Sequence, residues 1–212
     1  MDRIEKTIKN LQKNNISAYF VNTKDAVVSQ IEKLVEEGAT VAVGGSMSLA
    51  EAGVLDHLRS GRYEFLDRYK EGLSREEVGE IYRKSFWADA YFCSSNAVTE
   101  DGELYNVHGN ANRISAIAFG PKKVIMVVGI NKIVPDLDAA VKRVKTIAAP
   151  KNCKRLGCET FCHQKGYCTD LEDGMGKGCD SPARICRHYL VSAKQAQKGR
   201  LHVILVGEEL GY

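Results

Sequence analysis

Short apolar segments recur along this chain, and helical patterns separate them. The longest, residues 124–128, is apolar at every position, as expected for a central strand of a parallel sheet that is covered on both faces. Similar segments occupy residues 18–21, 40–43, 90–93 and 201–206. Because parallel neighbours are joined by crossover connections, this order predicts an α/β fold with a mainly parallel sheet covered by helices.

Apolar positions at helical spacing, together with capping residues, predict helices between these segments. One helix is expected to end in a left-handed cap at Gly38. Ser74 with Glu77 forms the capping-box signature of another helix. A later helix is expected to open at Asp136 and to end at Pro150, where the regular pattern stops.

Composition limits the classes of function. The 212 residues are 44% hydrophobic and 27% charged, which fits one soluble globular domain over residues 1–212. Thirty Lys and Arg residues against 27 Asp and Glu residues give a net charge of +3, without the basic block that binds nucleic acid. The longest apolar run is too short to cross a bilayer, and the charged start lacks a signal-peptide core. We therefore expect a cytoplasmic protein that binds neither nucleic acid nor membrane.

The loop after residues 40–43 is the first candidate ligand-binding site, because ligands bind at the carboxyl ends of strands in such sheets. Paired glycines let the backbone approach a ligand closely, and exposed N–H groups at a helix start favour an anion. Alternatively, the loop is a tight turn in which a serine only caps the helix. Glu51 is either a catalytic acid, base or nucleophile, or a partner of the helix dipole. The candidates in this loop are Gly44, Gly45, Ser46, Ser48 and Glu51.

The segment after residues 90–93 carries a second polar cluster. An Asp-Gly pair at residues 101–102 predicts a small hairpin, which would gather the polar groups near the start of the next helix. Amides donate and accept hydrogen bonds, and arginine holds a carboxylate or phosphate at two points, so the set suits a small anionic ligand. The same residues could instead satisfy turns and helix caps. The candidates are Asn96, Asn106, His108, Asn110 and Arg113.

Three side chains have both a functional and a structural interpretation. His108 has an ordinary pKa suited to acid–base catalysis, but without a visible partner a hydrogen-bonded loop histidine is favoured. Lys132, in the loop after residues 124–128, either neutralises a bound anion or stays in solvent, and the second is favoured. Cys93 is either a nucleophile or, as we expect, a small buried hydrophobe.

Six of the seven cysteines lie in one glycine-rich segment, residues 151–188, at Cys153, Cys158, Cys162, Cys168, Cys179 and Cys186. The segment has almost no apolar periodicity, so something other than a hydrophobic core must order it. In a cytosolic chain such clustering indicates a metal site. No Cys-x-x-Cys pair occurs, which disfavours a paired zinc ribbon, whereas iron–sulfur ligands need no single spacing. By spacing alone any four of the six could be ligands, and zinc or metal-free thiols are the alternatives.

Four motifs are spread over most of the chain: GSMSLAEAG at residues 45–53, SNAVTEDG at 95–102, GNANR at 109–113 and FGPKKV at 119–124. Together they resemble the lactate-utilisation (LUD) domain family. The resemblance implies the fold shared by CoA transferases, sugar-phosphate isomerases and formyltetrahydrofolate cyclo-ligase. It also implies an association with the oxidation of lactate to pyruvate, within multi-protein systems that have iron–sulfur partners.

The cysteine segment is similar to the tail of short LUD proteins. This similarity implies that the metal ligands, most simply of a [4Fe–4S] cluster, are Cys162, Cys168, Cys179 and Cys186. We therefore expect a protein that binds a small carboxylate or related anion and takes part in organic-acid redox metabolism through an iron–sulfur site, with redox partner proteins or further copies of itself. One alternative is a metal-independent acyl or phosphosugar enzyme that uses Glu51. The other is a non-catalytic assembly subunit with structural zinc.

Overall fold

A computed structural model describes residues 2–212. The strands, numbered along the chain, are β1 (Ser17–Val21), β2 (Thr40–Val43), β3 (Glu64–Leu66), β4 (Ala90–Cys93), β5 (Ala97–Thr99), β6 (Leu104–His108), β7 (Lys123–Gly129), β8 (Ile133–Val134), β9 (His188–Ser192) and β10 (Leu201–Val206). The α-helices are α1 (Arg3–Lys13), α2 (Ala26–Glu32), α3 (Met47–Glu51), α4 (Val54–Leu58), α5 (Arg75–Lys84), α6 (Asn112–Ala118), α7 (Leu137–Arg143), α8 (Ala149–Leu156) and α9 (Phe161–Lys165).

Six parallel strands form the larger sheet, in the order β1-β10-β7-β4-β2-β3. Apolar cores lie on both of its faces. Val124, Met126 and Val128 of β7 pack into one core, and Ile125 and Val127 pack into the other. Both faces of β7 therefore need apolar side chains, which explains the absence of alternation. The predicted α/β fold with a mainly parallel sheet is confirmed.

A smaller mixed sheet, β8-β5-β6-β9, follows from the carboxyl end of β4. Its antiparallel β5 and β6 form the predicted hairpin, with Gly102 in the left-handed region at φ +84°. Strand β9 pairs with β6 from Leu104 opposite Ser192 to His108 opposite His188. The sequence did not predict β9, because it follows directly on the cysteine segment. This pairing attaches the end of that segment to the hairpin.

The prediction that the last helix ends at Pro150 is wrong. A π-helical segment, Val144–Ala148, joins α7 to α8, and the helix continues to Leu156 with Pro150 in the first turn of α8. A proline lacks the N–H of a regular helical hydrogen bond, and the wider π turn before it accommodates that loss. Cys153 therefore lies on a helix and is buried, so the cysteine segment begins inside a regular element.

Other helix ends agree in part with the sequence. The capping box of Ser74 and Glu77 opens α5 as predicted. Gly38 is left-handed at φ +77°, but α2 already ends at Glu32, so the predicted helix end at Gly38 is wrong. Left-handed Gly53, at φ +67°, divides α3 from α4. Within residues 2–212, no helix has the length and apolar character that crossing a membrane requires.

Candidate functional site

A cleft of about 310 Å³ lies where the loops after β2, β4 and β7 meet, with the end of β6 and one side of α8 completing its wall. This is the carboxyl edge of the parallel sheet, where ligands bind in such folds. Seven of the eleven predicted ligand-binding residues line it, namely Gly45, Ser46, Asn96, His108, Asn110, Arg113 and Lys132. The four others, Gly44, Ser48, Glu51 and Asn106, lie behind or beside the cleft.

Lys132 is buried, with 3% of its surface exposed, so the expectation that it stays in solvent is wrong. A short 3-10 turn after β7 brings its side chain inward. Its Nζ donates to Oγ of Ser48 at 2.7 Å and to Oγ of Ser94 at 3.1 Å. Burial, followed by the positive charges of Arg143 and Arg113, lowers the pKa of Lys132 to about 7. Near neutral pH the side chain is therefore partly an uncharged amine.

Arg113, on the first turn of α6, is held by the protein at four points. Its Nη1 donates to the carbonyl oxygen of Ser94 at 2.9 Å and to Oδ1 of Asn106 at 2.6 Å. Its Nη2 donates to Oδ1 of Asn96 at 2.8 Å and to the carbonyl oxygen of Val107 at 3.0 Å. Burial lowers its pKa. Arg113 therefore contributes positive charge to the cleft, although both Nη atoms of its guanidinium already donate to protein oxygens. The two asparagines hold Arg113 in place.

Gly44 explains how this arginine fits beneath the first loop. A Cβ atom on Gly44 would lie 2.8 Å from the hydroxyl oxygen of Tyr91 and 3.1 Å from Cγ of Arg113. Contacts this short require a glycine. Gly44 therefore permits close packing over Arg113, and Gly45 and Ser46 are the loop residues that line the cleft.

His108 lies at the end of β6 and lines the cleft. Its Nδ1 is buried and has no hydrogen-bond partner, so the expectation of a hydrogen-bonded histidine is wrong for that atom. Burial, and then the charges of Arg113 and Arg68, lower its pKa to about 3. The imidazole is therefore neutral at physiological pH, with one nitrogen able to accept or donate a hydrogen bond to a ligand.

Glu51 lies outside the cleft. It is the exposed last residue of α3, and its carboxylate accepts a hydrogen bond from the N–H of Gly211 at 2.7 Å. Ser46 caps α3 by accepting from the N–H of Leu49, as one of the predicted alternatives. Because α3 has only five residues, its helix dipole is weak. An anion at this loop would therefore be bound mainly by backbone N–H groups of the loop.

The cleft is cationic. Arg68, Arg113, Lys132 and Arg155 line it, and no Asp or Glu among residues 2–212 does so. None of these four forms an ion pair with a described carboxylate. Buried charge without a counter-ion is costly. An anionic ligand would supply the missing negative charge.

A second, much smaller cavity of about 20 Å³ is lined by four thiols. They are Cys162, Cys168, Cys179 and Cys186, the four expected from the similarity to short LUD proteins. Cys158 lies outside this cavity, and Cys153 contacts it indirectly, with its Sγ 3.6 Å from Sγ of Cys162. Within residues 2–212, no three His, Cys, Asp or Glu side chains stand close enough together to hold one metal ion.

Arg184 fixes the backbone around two of these thiols. Its Nε donates to the carbonyl oxygen of Cys186 at 2.8 Å, and its Nη1 donates to that of Cys179 at 3.4 Å. Its Nη2 donates to the carbonyl oxygen of Gly176 at 3.0 Å and to the hydroxyl of Tyr189 at 2.9 Å. One guanidinium thus links three separate points of an otherwise glycine-rich segment.

The two cavities share a wall. Val144, Ala149 and Cys186 line both the cationic cleft and the thiol cavity. The π segment and the start of α8 supply the first two, and β9 holds the chain just after the third. A group bound to Cys186 would therefore lie beside a ligand in the cleft.

Comparison with known proteins determines the family. The model of the LUD domain matches residues 4–206. The chain belongs to the LUD domain family. A crystal structure of a DUF162 family protein from Deinococcus radiodurans is similar to this LUD domain with a TM-score of 0.55 at 16% identity, over 97% of this chain and 99% of that one. This similarity shows a common fold.

The structure of eIF2B beta from Chaetomium thermophilum matches 53% of this chain and 39% of its own, with a TM-score of 0.37 and 15% identity. No curated protein matches the sequence significantly.

Two arginines that line the cleft of this LUD domain, Arg68 and Arg155, were not predicted from the sequence. Arg68 follows β3, and its guanidinium lies over the rings of Tyr69 and Tyr82. Because Arg68 lies just beyond the carboxyl end of β3, its position in the sequence could have indicated that it lines the cleft. Arg155 donates to the hydroxyl of Tyr212 at 2.6 Å. It was missed because the helix that carries it was expected to end at Pro150.

Cys93 is fully buried, and burial raises the pKa of its thiol to about 12. A thiol with such a pKa is not a nucleophile at neutral pH. The expectation of a small buried hydrophobe therefore agrees with its environment in this LUD domain.

Proposed function

We propose that this LUD domain binds a small organic acid in the cationic cleft and takes part in organic-acid redox metabolism through an iron–sulfur cluster held by Cys162, Cys168, Cys179 and Cys186. The observation that carries the proposal is the shared wall, since Cys186 lines both cavities. Membership of the LUD family supports a role related to lactate utilisation.

The cleft suits a carboxylate because its charges are positive and unpaired. Arg68 and Arg113 supply positive charge, and Gly45 and Ser46 line the cleft with the backbone of their turn. Neutral His108 adds one hydrogen-bonding nitrogen that no protein group occupies. A hydroxyl or carbonyl group next to the carboxylate is a suitable partner for that nitrogen.

The thiol cavity has the donor set of an anionic inorganic centre, but its four thiols would have to move together to bind one. Four thiolates are the usual donor set of a [4Fe–4S] cluster, and two lysines, Lys145 and Lys177, line the same cavity. Lys145 donates to the carbonyl oxygens of Asp170 and Gly174, which fixes the loop that precedes Cys179. When bound, a cluster supplies one-electron transfer. The surrounding residues hold its ligands and offset its negative charge.

Zinc in the same four thiols is the second candidate, and the small volume of the cavity, about 20 Å³, favours it. That volume is close to the space of one water molecule. A single ion needs less rearrangement than a cluster and would act as a structural staple. The metal-independent alternative has less support, because Glu51, its proposed nucleophile or base, lies outside the cleft.

Anaerobic purification with iron, sulfide and zinc analysis tests the proposal. We expect roughly four iron and four sulfide per chain and broad visible absorption from iron–thiolate bonds. Cys168→Ser should lose most of the iron, whereas Cys158→Ser, whose thiol lies outside the cavity, should retain it. Stoichiometric zinc without colour would support the second candidate. Equal iron in both variants would contradict the ligand assignment.

A further inference from the structure

Lys132 is the one buried amine of the cleft, and its surroundings are unusual for a lysine. It is 3% exposed and has no carboxylate within ion-pairing distance among the described residues. Among the described residues its hydrogen-bond partners are two serine hydroxyls, those of Ser48 and Ser94. A buried lysine that served only as a structural cation would be expected to have a charged partner.

The two serine oxygens act as acceptors toward this amine. The hydroxyl of Ser48 donates to the carbonyl oxygen of Leu210 at 3.2 Å, and that of Ser94 donates to the carbonyl oxygen of Ser95 at 3.3 Å. Because each hydroxyl has a carbonyl oxygen to which it donates, each serine oxygen accepts an N–H of Lys132. A neutral amine with its two N–H groups used in this way has its lone pair free. The same hydrogen bonds direct both hydroxyls to carbonyl oxygens, which argues against a serine nucleophile activated by the lysine.

The geometry points to Lys132 as a nucleophile that forms an imine with the carbonyl carbon of a 2-oxo acid bound in the cleft. This inference rests on the proposed function, in which the cleft binds an organic acid. Arg68, which lines the cleft with Lys132, would bind the carboxylate, and the positive charge of Arg113 would attract it. The lowered pKa of Lys132, about 7, is consistent with a reactive amine. The charged and titratable groups that act on it are Arg143, Arg113, Glu51 and Cys93.

The step balances without an oxidant. The lone pair of Nζ attacks the carbonyl carbon, the C=O π bond breaks, and the oxygen takes a proton to give a carbinolamine. The C–O bond then breaks and a C=N bond forms. The oxygen leaves as water with the two hydrogens that were on the amine. The product is a covalent adduct that reducing agents convert to a stable secondary amine.

Borohydride trapping on the full chain, purified anaerobically, tests the inference. The protein is incubated with pyruvate, 2-oxoglutarate or phenylpyruvate, reduced with cyanoborohydride, and analysed by intact mass and peptide mapping. The longer acids are included because the cleft, at about 310 Å³, is in the range that holds larger ligands. We expect one adduct per chain at residue 132 with at least one acid. Lys132→Met should abolish it, while Lys142→Met, at an exposed lysine on α7, should leave it unchanged.

Calorimetric titration with the same acids, and with lactate, separates the two claims. Binding without an adduct at residue 132 would overturn the imine and leave the binding proposal standing. Absence of both binding and adduct would overturn both. Adducts spread over exposed lysines would also contradict the assignment. Mapping of the unaltered protein decides these outcomes even where Lys132→Met does not fold.

Discussion

At the scale of single residues, buried cations without an acidic partner lie in the cleft and beside it. Arg113, Lys132 and Arg143 are each less than a tenth exposed, and no described carboxylate pairs with them. Carbonyl and amide oxygens satisfy the two arginines, and hydroxyls satisfy the lysine. Hydrogen bonds therefore hold the charges in position without neutralising them, as an anion-binding site requires.

Lys132 should make stability depend on pH. Its pKa is lowered from 10.5 to about 7 in the folded protein, so between these pH values the unfolded chain binds more protons. The free energy of unfolding should therefore rise with pH over this window. Relative to Lys132→Met, the parent should gain on the order of 2–5 kcal/mol from pH 7 to pH 10. Urea unfolding of both proteins at each pH measures the difference, and a difference independent of pH would contradict the assignment.

Asn106 should matter for stability although it does not line the cleft. It is fully buried, accepts from Nη1 of Arg113 at 2.6 Å and donates to Oγ of Ser95 at 3.2 Å. Asn106→Leu leaves both partners without this bond, so we expect a loss of about 2–3 kcal/mol in urea unfolding. Asn110→Leu, at an exposed position just after the same strand, should change stability by less than about 0.5 kcal/mol. Equal effects would show that Asn106 does not hold Arg113.

At the scale of elements, the strands of the large sheet and the β5–β6 hairpin were predictable, whereas the pairing of β9 and β8 with that hairpin was not. Segments such as residues 124–128 contain their own signal, because burial on both faces requires apolar residues at every position. Strand β9 has no such signal, since its register is set by β6. The helix past Pro150 was missed because a local rule about proline was applied to a helix that widens into a π turn first.

The candidate site likewise has some features that could be predicted from the sequence and others that could not. Loop positions after β2, β4 and β7 follow from the topology, so Gly45, Asn96 and Lys132 could be placed at one edge in advance. The burial of Lys132 and the internal bonds of Arg113 could not, because they depend on which side chains the folded loops bring together. The shared wall at Cys186 depends on the position of β9, so it could not be predicted from the sequence either.

Arg184 tests whether the cysteine segment is a preorganised element. Arg184→Met removes donors to the backbone at Gly176, Cys179 and Cys186, so this loop should open more often. Loss of about 1.5 kcal/mol corresponds to roughly tenfold faster amide exchange. Hydrogen exchange of the metal-free protein over residues 174–187 measures it. Arg187→Met, at an exposed residue with one backbone acceptor, should have little effect, and the same result for both would contradict the role of Arg184.

At the scale of the whole molecule, the fold places a cationic cleft and a thiol-lined cavity on either side of one shared wall. The parallel sheet presents the cationic cleft at its carboxyl edge, and the smaller sheet returns the cysteine segment to that edge through β9. Val144 and Ala149, at the junction of the π segment and α8, complete the wall with Cys186. The central claim is that this juxtaposition couples an inorganic centre to a bound organic acid.

An electron paramagnetic resonance spectrum of the anaerobic, dithionite-reduced protein, recorded with and without pyruvate, tests this claim most directly. We predict a [4Fe–4S] signal that is absent from Cys168→Ser, present in Cys158→Ser, and changed in its g values by the acid, because Cys186 lines both cavities. The absence of any cluster signal after reconstitution with iron and sulfide, or a cluster signal identical with and without saturating acid, would contradict the claim.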